Sequence, residues 1–218
     1  MYREKIIDII RKNIIYGLIK PLTDRYKIIY WYLHGKHIPP PPAIKQKTVK
    51  KYAKKFCIHT LVETGTCLGD MVYSTRNIFN KIFSIELDKI LYKKTKKRLE
   101  KLNNITLIQG DSSELLPEIL NHINEPCLFW LDAHYSGGFT AKGNLETPII
   151  KEIEHIFSHH ISKHVILIDD ARCFNGSNDY PTVHYLKKIV RRHDKDLEFK
   201  IRDDIIRICP KIQVIKRN

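Results

Sequence analysis

The sequence predicts an α/β fold, a doubly wound and mostly parallel sheet with a C-terminal antiparallel hairpin. Three observations predict it. Five short β-prone runs, Ile58 to Glu63, Ile82 to Glu86, Ile105 to Gln109, Cys127 to Asp132 and Val165 to Asp169, are mostly apolar throughout, as strands covered on both faces are. Helix-length segments separate them, which implies parallel strands with helices on both sides. Two last runs, Leu197 to Arg202 and Ile205 to Cys209, are joined by Asp203-Asp204, the spacing of a tight hairpin.

At the N-terminus, Ile6, Ile10, Ile14 and Leu18 recur on one helical face among basic residues, so an amphipathic helix opens the chain. Pro39 to Pro42 force an extended stretch and end that helix. The natural division is therefore a basic arm over 1–42 and a main domain over 43–218. Within the domain, helices are expected over Gly69 to Phe79, Asp88 to Leu102, Ser113 to Ile123, Thr147 to His160, where Pro148 suits a first turn, and Thr182 to Arg192.

A chain of 218 residues suffices for one core, and its longest apolar run, Ile28 to Leu33, is too short for the roughly 20 residues of a membrane span. Asp8, Arg11, Lys12 and Asn13 break the apolar core that a secretion signal needs. The five cysteines, Cys57, Cys67, Cys127, Cys173 and Cys209, are odd in number and form no C-x-x-C pair, which argues against a disulfide framework and for a reducing, cytoplasmic setting.

The formal charge of +14 invites a nucleic-acid or lipid partner, yet it is unevenly placed. Residues 1–56 carry 14 basic and 3 acidic side chains, a net +11, whereas residues 111–160 carry 2 and 8, a net −6. Most of the basic excess is therefore N-terminal. It fits docking on an anionic membrane surface through residues 1–38, a cover for the sheet, or a homodimer contact.

Open parallel sheets bind ligands beyond the carboxyl ends of their strands, where strand order reverses. Here every one of the five runs ends in a polar or acidic group: Glu63, Glu86, Gln109 with Gly110-Asp111, Asp132, and Asp169-Asp170. Carboxylates gathered on one rim repel one another unless a ligand or cation uses them. The first run leads into Glu63-Thr64-Gly65-Thr66-Cys67-Leu68-Gly69-Asp70, a turn between strand and helix, and Glu86 follows about one strand later, placed to accept ribose hydroxyls. The loop lacks the middle glycine of a pyrophosphate loop, and its acids would repel phosphate. A cationic adenosine ligand suits it better than a dinucleotide.

Over roughly residues 56–210 the sequence resembles the class I S-adenosylmethionine-dependent methyltransferases, with their Rossmann-like fold. Val62 to Gly69 is similar to their first motif, Ser84-Ile85-Glu86-Leu87-Asp88 to the ribose-binding segment, and Gln109-Gly110-Asp111-Ser112 to the segment bordering adenine. The resemblance implies that Glu63 and the Gly65-Thr66 backbone hold the methionine end, Gly69 opens the next helix, Glu86 binds ribose, and Asp111 with Ser112 border adenine. Thr66-Cys67-Leu68 departs from the glycine-richer form of the loop.

Leu131-Asp132-Ala133-His134-Tyr135 and Ile168-Asp169-Asp170-Ala171 resemble metal-dependent O-methyltransferases, whose magnesium sits between these two strand ends. Asp132, Asp169 and Asp170 are hard oxygen donors suited to Mg²⁺, and His134 is placed to take a proton from an acceptor hydroxyl. In the other reading, Asp132 and Asp169 hydrogen-bond cofactor or backbone, His134 orients the acceptor, and no metal takes part. Tyr135 to Thr140, with Lys142 and Gly143, form a loop suited to covering an acceptor, and Arg172 either binds an anionic group or pairs with an acid.

The function expected is O-methylation of a small molecule or saccharide, with Mg²⁺ assistance left open. An RNA or DNA methyltransferase is the nearest alternative, disfavoured by the acidic stretch over 111–160 and by Asp132-Ala133-His134-Tyr135 in place of an Asn/Asp-Pro-Pro-Tyr motif. A non-catalytic adaptor at a membrane surface is the third.

Overall fold

The computed structural model describes residues 14–133 and 147–211. In order, the elements are α1 (Ile14–Leu33), α2 (Pro42–Phe56), β1 (Thr60–Thr64), α3 (Asp70–Thr75), β2 (Lys81–Glu86), α4 (Lys89–Leu99), β3 (Ile105–Gln109), α5 (Ser112–Asn121), β4 (Cys127–Leu131), α6 (Ile149–Ser158), β5 (Val165–Ile168), α7 (Val183–His193), β6 (Leu197–Arg202) and β7 (Ile205–Pro210). A single turn of 3₁₀-helix, Ala171–Cys173, follows β5.

The strands form one sheet in the order β3-β2-β1-β4-β5-β7-β6. The four pairings among β1 to β5 are parallel, and β7 runs antiparallel to both β5 and β6. The chain thus winds outward from β1 to β3, then returns to place β4 on β1's other side. That reversal opens a crevice at the carboxyl ends of β1 and β4.

Alternation along the strands feeds two cores. Val62, Phe129, Leu131, Ile166, Ile168, Ile206 and Ile208 meet Leu116 and Ile119 of α5, Ile153 and Ile156 of α6, and Leu186 and Val190 of α7. Leu61, Leu128, Trp130, Val165, Leu167 and Ile205 meet Val49, Tyr52 and Ala53 of α2, Val72 of α3 and Leu99 of α4. Both faces of the central strands are therefore dry, which is why β1, β4 and β5 are buried at every position.

The seven strands and the expected helices form close to where the sequence places them. Two features were not among the sequence expectations. At the end of the proline run, Pro42 starts α2, whose Lys-rich sequence buries Ala43, Ile44, Gln46, Thr48, Val49, Tyr52 and Ala53. And β1 continues to Thr64, so Glu63 lies inside the strand and not at its end. The hairpin turn is Asp203-Asp204, both left-handed at φ 54° and 59°, the conformation of a tight two-residue turn whose twist matches its strands.

Of the arm, α1 packs on α2 and buries Trp31, whose indole N–H donates to the His37 carbonyl at 2.7 Å. The positions Ile6 and Ile10 lie outside the described residues. Among the described residues no helix is long and apolar enough to cross a membrane.

Candidate active site at the carboxyl edge of the sheet

Gly65 sits at the point of reversal. Its φ is +85°, and a Cβ there would lie 2.4 Å from the Asp132 carbonyl oxygen, so glycine alone lets the β1 turn pass this close to the β4 turn. The Gly65 and Thr66 N–H groups both donate to the Ile85 carbonyl of β2, at 3.0 and 3.2 Å. Those two donors are engaged within the protein, so the backbone contact expected of them toward a ligand falls to other atoms of the turn. Gly69, at φ +73°, is a packing position: a Cβ would meet Thr95 Cγ2 of α4 at 2.7 Å. Thr95 Oγ1 donates to the Cys67 carbonyl at 2.7 Å, and Arg98 donates to the Leu68 carbonyl and, at 2.8 Å, to Asp70. Helix α4 thereby holds the turn from outside.

Glu63 holds it from beneath. Register places Glu63 opposite Ser84 of β2, and Ser84 Oγ donates to Glu63 Oε2 at 2.5 Å while lying 2.6 Å from Thr66 Oγ1. Because Ser84 has one proton and gives it to Glu63, Thr66 must donate to Ser84. Glu63 is 1% exposed. Burial pushes its carboxyl well above the usual range, with Asp132, Glu86 and Asp70 adding repulsion. Sequence reasoning assigned Glu63 to the ligand; the fold turns it inward to anchor the loop that the ligand would meet.

Glu86 ends β2, and its two oxygens accept from Cys67 N–H at 2.6 Å and Asp88 N–H at 2.9 Å. Burial raises its pKa against the pull of those N–H groups. Asp111 caps α5 by accepting from Ser113 N–H at 2.8 Å, and Ser112 Oγ donates to Glu152 Oε1 at 2.6 Å. The side chain of Ser112 is thus turned into the core, leaving its backbone and Asp111 at the rim.

Between the ends of β4 and β5 lies a cleft lined by Asp132, Ala133, Thr147, Glu152, Asp169, Phe174 and Tyr180 among others. Glu152 is a residue that sequence reasoning missed. It falls on the buried stripe Ile149, Glu152, Ile153, Ile156 of α6, and an acid within an apolar helical stripe was the available signal. Burial pushes Glu152 up to about 7, with the Ser112 hydroxyl opposing.

At the end of β5 the charges are balanced by the chain itself. Lys45, from the first turn of α2, bonds Asp169 Oδ2 and lies 3.4 Å from Asp170 Oδ1. Asp169 Oδ1 accepts the Asp170 N–H at 2.9 Å. Arg172 donates to Asp170 Oδ1 at 2.8 Å and also bonds Asp204, which in turn accepts the Arg172 N–H at 2.9 Å. Arg172, which the sequence left between two roles, is paired with acids. Burial and repulsion from Asp132 push Asp169 up, and Lys45 opposes them. Burial alone would lower Lys45, but Asp169, Asp132 and Asp170 outweigh it and hold the ammonium protonated.

These contacts bear on the expected Mg²⁺ ligands Asp132, Asp169 and Asp170. Among the described residues no group of three or more His, Cys, Asp or Glu side chains is arranged to hold a metal ion. Each Asp169 oxygen already accepts a donor, and Asp170 Oδ1 faces two cations. The donor set as folded fits an ammonium and does not fit a resident Mg²⁺. His134 and the segment Tyr135 to Gly143 lie outside the described residues.

No protein-family model matches the chain, and no curated protein matches it in sequence. Solved structures do match in fold. One is the O-methyltransferase TomG of tomaymycin synthesis from Streptomyces achromogenes, in complex with S-adenosylmethionine. Its TM-score is 0.59 at 12% identity, over 86% of this chain and 88% of that one. Another is an O-methyltransferase from Bacillus cereus in complex with S-adenosylhomocysteine, with a TM-score of 0.57 at 11% identity, over 86% and 90% of the two chains. At such identities the likeness establishes the fold, the seven-stranded Rossmann-like sheet of these enzymes.

Proposed function

We propose that the protein is an S-adenosylmethionine-dependent methyltransferase that methylates a hydroxyl of a small molecule or glycan. One observation carries this reading. Glu63 and Glu86 stand at the switch point, held by hydroxyl and N–H dipoles and touched by no Lys or Arg among the described residues, in a fold shared with O-methyltransferases. Acids kept in this way favour a cationic ligand and disfavour a pyrophosphate.

When bound, the cofactor supplies a sulfonium methyl whose transfer leaves the carbon–sulfur electron pair on sulfur. The chain's residues divide the remaining work. Each Glu86 oxygen accepts one N–H and keeps a lone pair for the ribose hydroxyls. Asp111 and the Ser112 backbone border adenine, and the turn from Gly65 through Gly69 borders the methionine end, kept in shape by Glu63. Asp132 and His134 orient the acceptor, and His134 receives the proton that the acceptor hydroxyl gives up. Tyr180 and Phe174 supply a flat, partly polar wall suited to a hydroxylated ring.

Isothermal calorimetry tests the reading. S-adenosylmethionine and S-adenosylhomocysteine are expected to bind, and Glu86→Ala to weaken both roughly 10- to 100-fold, the worth of hydrogen bonds to a charged group. Binding of NAD with neither of them would overturn it. His134→Ala is expected to lower turnover by on the order of 10².

The arm supports a second element of the reading, attachment to an anionic membrane surface. Ile19, Leu22, Tyr26, Ile29 and Leu33 are all exposed along one face of α1, flanked by Lys20, Arg25 and Lys27. The 3-4 spacing would equally suit a second copy, but arms carrying a net +5 each repel one another, whereas anionic lipid attracts them. Leu22→Ser with Tyr26→Ser is expected to abolish pelleting with phosphatidylserine vesicles; unchanged pelleting would end this element of the proposal.

A further inference from the structure

The end of β5 carries an inference that rests on the methyltransferase reading and concerns what neutralises its acids. Asp132, Asp169 and Asp170 end two adjacent strands and offer only oxygen donors, the set that a hard divalent cation prefers. In this chain a side chain reaches the same place. Lys45 contacts Asp169 and lies 3.4 Å from Asp170, and its side chain is only 19% exposed. Asp132 also acts on it electrostatically. Asp170 has a left-handed backbone at φ 53° and ψ 49°, and Arg172, itself bonded to Asp204, donates to its Oδ1 at 2.8 Å. A divalent ion entering between the carboxylates would meet the ammonium at contact range, where like charges in a poorly solvated site repel strongly.

We propose that Lys45 is the resident cation of this site, standing where a divalent metal would stand and making the reaction metal-independent. Asp169 lines the cleft and Lys45 does not, so Lys45 is a positioning residue. It opposes the protonation that burial favours at Asp169, and offers Asp169 and Asp170 a shared countercharge without the octahedral ligand shell that Mg²⁺ requires.

The test uses the full chain and Mn²⁺ as the probe, followed by the electron paramagnetic resonance signal of the free ion. The wild type is expected to leave Mn²⁺ free at millimolar concentration. Lys45→Ser should gain Mn²⁺ affinity at least tenfold, the gain should vanish in Lys45→Ser with Asp169→Asn, and Lys45→Arg should behave as wild type. A structural role for Lys45 would not produce a gain in cation affinity. Tight Mn²⁺ binding by the wild type that Asp169→Asn removes would overturn the proposal, as would a folded Lys45→Ser that gains no affinity. Should Lys45→Ser not fold, the wild-type and Asp169→Asn measurements still decide it. The readout needs no cofactor. A protein that excludes Mn²⁺ yet binds no S-adenosylmethionine would refute the methyltransferase reading alone, and one that binds both, with Mn²⁺ lost in Asp169→Asn, would refute the Lys45 assignment alone.

Discussion

The two halves of the sheet's carboxyl edge treat negative charge in opposite ways. On the β1–β2 half, Glu63 and Glu86 are bonded by a serine hydroxyl and two backbone N–H groups. On the β5 half, acids and bases alternate in a chain of five: Asp169, Lys45, Asp170, Arg172, Asp204. Hydrogen-bond donors steady a carboxylate without cancelling its charge, and burial pushes it toward protonation, whereas an ion pair supplies the opposite charge. The first half therefore holds acids with no countercharge of their own among the described residues, and the second supplies its own. In one fold, then, neighbouring strand ends present a vacancy for positive charge beside a place already filled.

The largest expected effect breaks the filled half. Lys45→Met strands Asp169 as a buried acid without its partner, and the loss of stability should be about 3–5 kcal/mol by chemical denaturation. Adding Asp169→Asn should recover most of it. A single variant as stable as wild type would mean that the pair contributes nothing and the two halves are alike.

Glu152 sharpens the contrast, because it lies beside the β4 end yet is bonded by Ser112 and by no cation among the described residues. Its folded pKa, about 7, exceeds the ordinary 4.5, so the folded chain holds more protons than the unfolded one between those values. Stability is therefore fully present below about pH 4.5 and falls as pH rises through 7, by about 3 kcal/mol in total from this group. Glu152→Gln should remove that fall; denaturation midpoints across pH 5 to 8 would show an unchanged slope if another group is responsible.

The smallest effect belongs to Glu63. Burial favours the neutral form of Glu63, so Glu63→Gln should cost less than about 1 kcal/mol, while Glu63→Leu, which leaves Ser84 without its acceptor, should cost about 1–3 kcal/mol. Equal losses for the two would show that Glu63 is ionised in the folded state.

Most of the scaffold was legible because apolar runs such as Cys127–Leu131 and Val165–Ile168 admit little but a doubly covered strand. The rim followed, since the residues after such runs must surface at the same edge. What stayed hidden depends on single-residue register or on contacts between distant segments. Whether β1 ends at residue 63 or 64 decides if Glu63 surfaces or turns inward, and no local signal separates the two. Lys45 meets Asp169 across 124 residues, and it is one of six lysines in α2, none distinguished by spacing. Periodicity reports which face of an element is dry; it says nothing of which charge reaches which.

The Asp203-Asp204 turn has a consequence for the order in which the molecule is made. Asp204 holds Arg172, and Arg172 holds Asp170, so the β5 end is braced by a turn that lies more than thirty residues downstream. A ribosome releases Lys45, Asp132 and Asp169 well before β7 can insert beside β5. Until it does, the nascent domain can have β1 to β5 in place while its charge chain lacks the last member, Asp204. The hairpin works as a late clasp, and the acidic edge reaches its final form only when that clasp shuts.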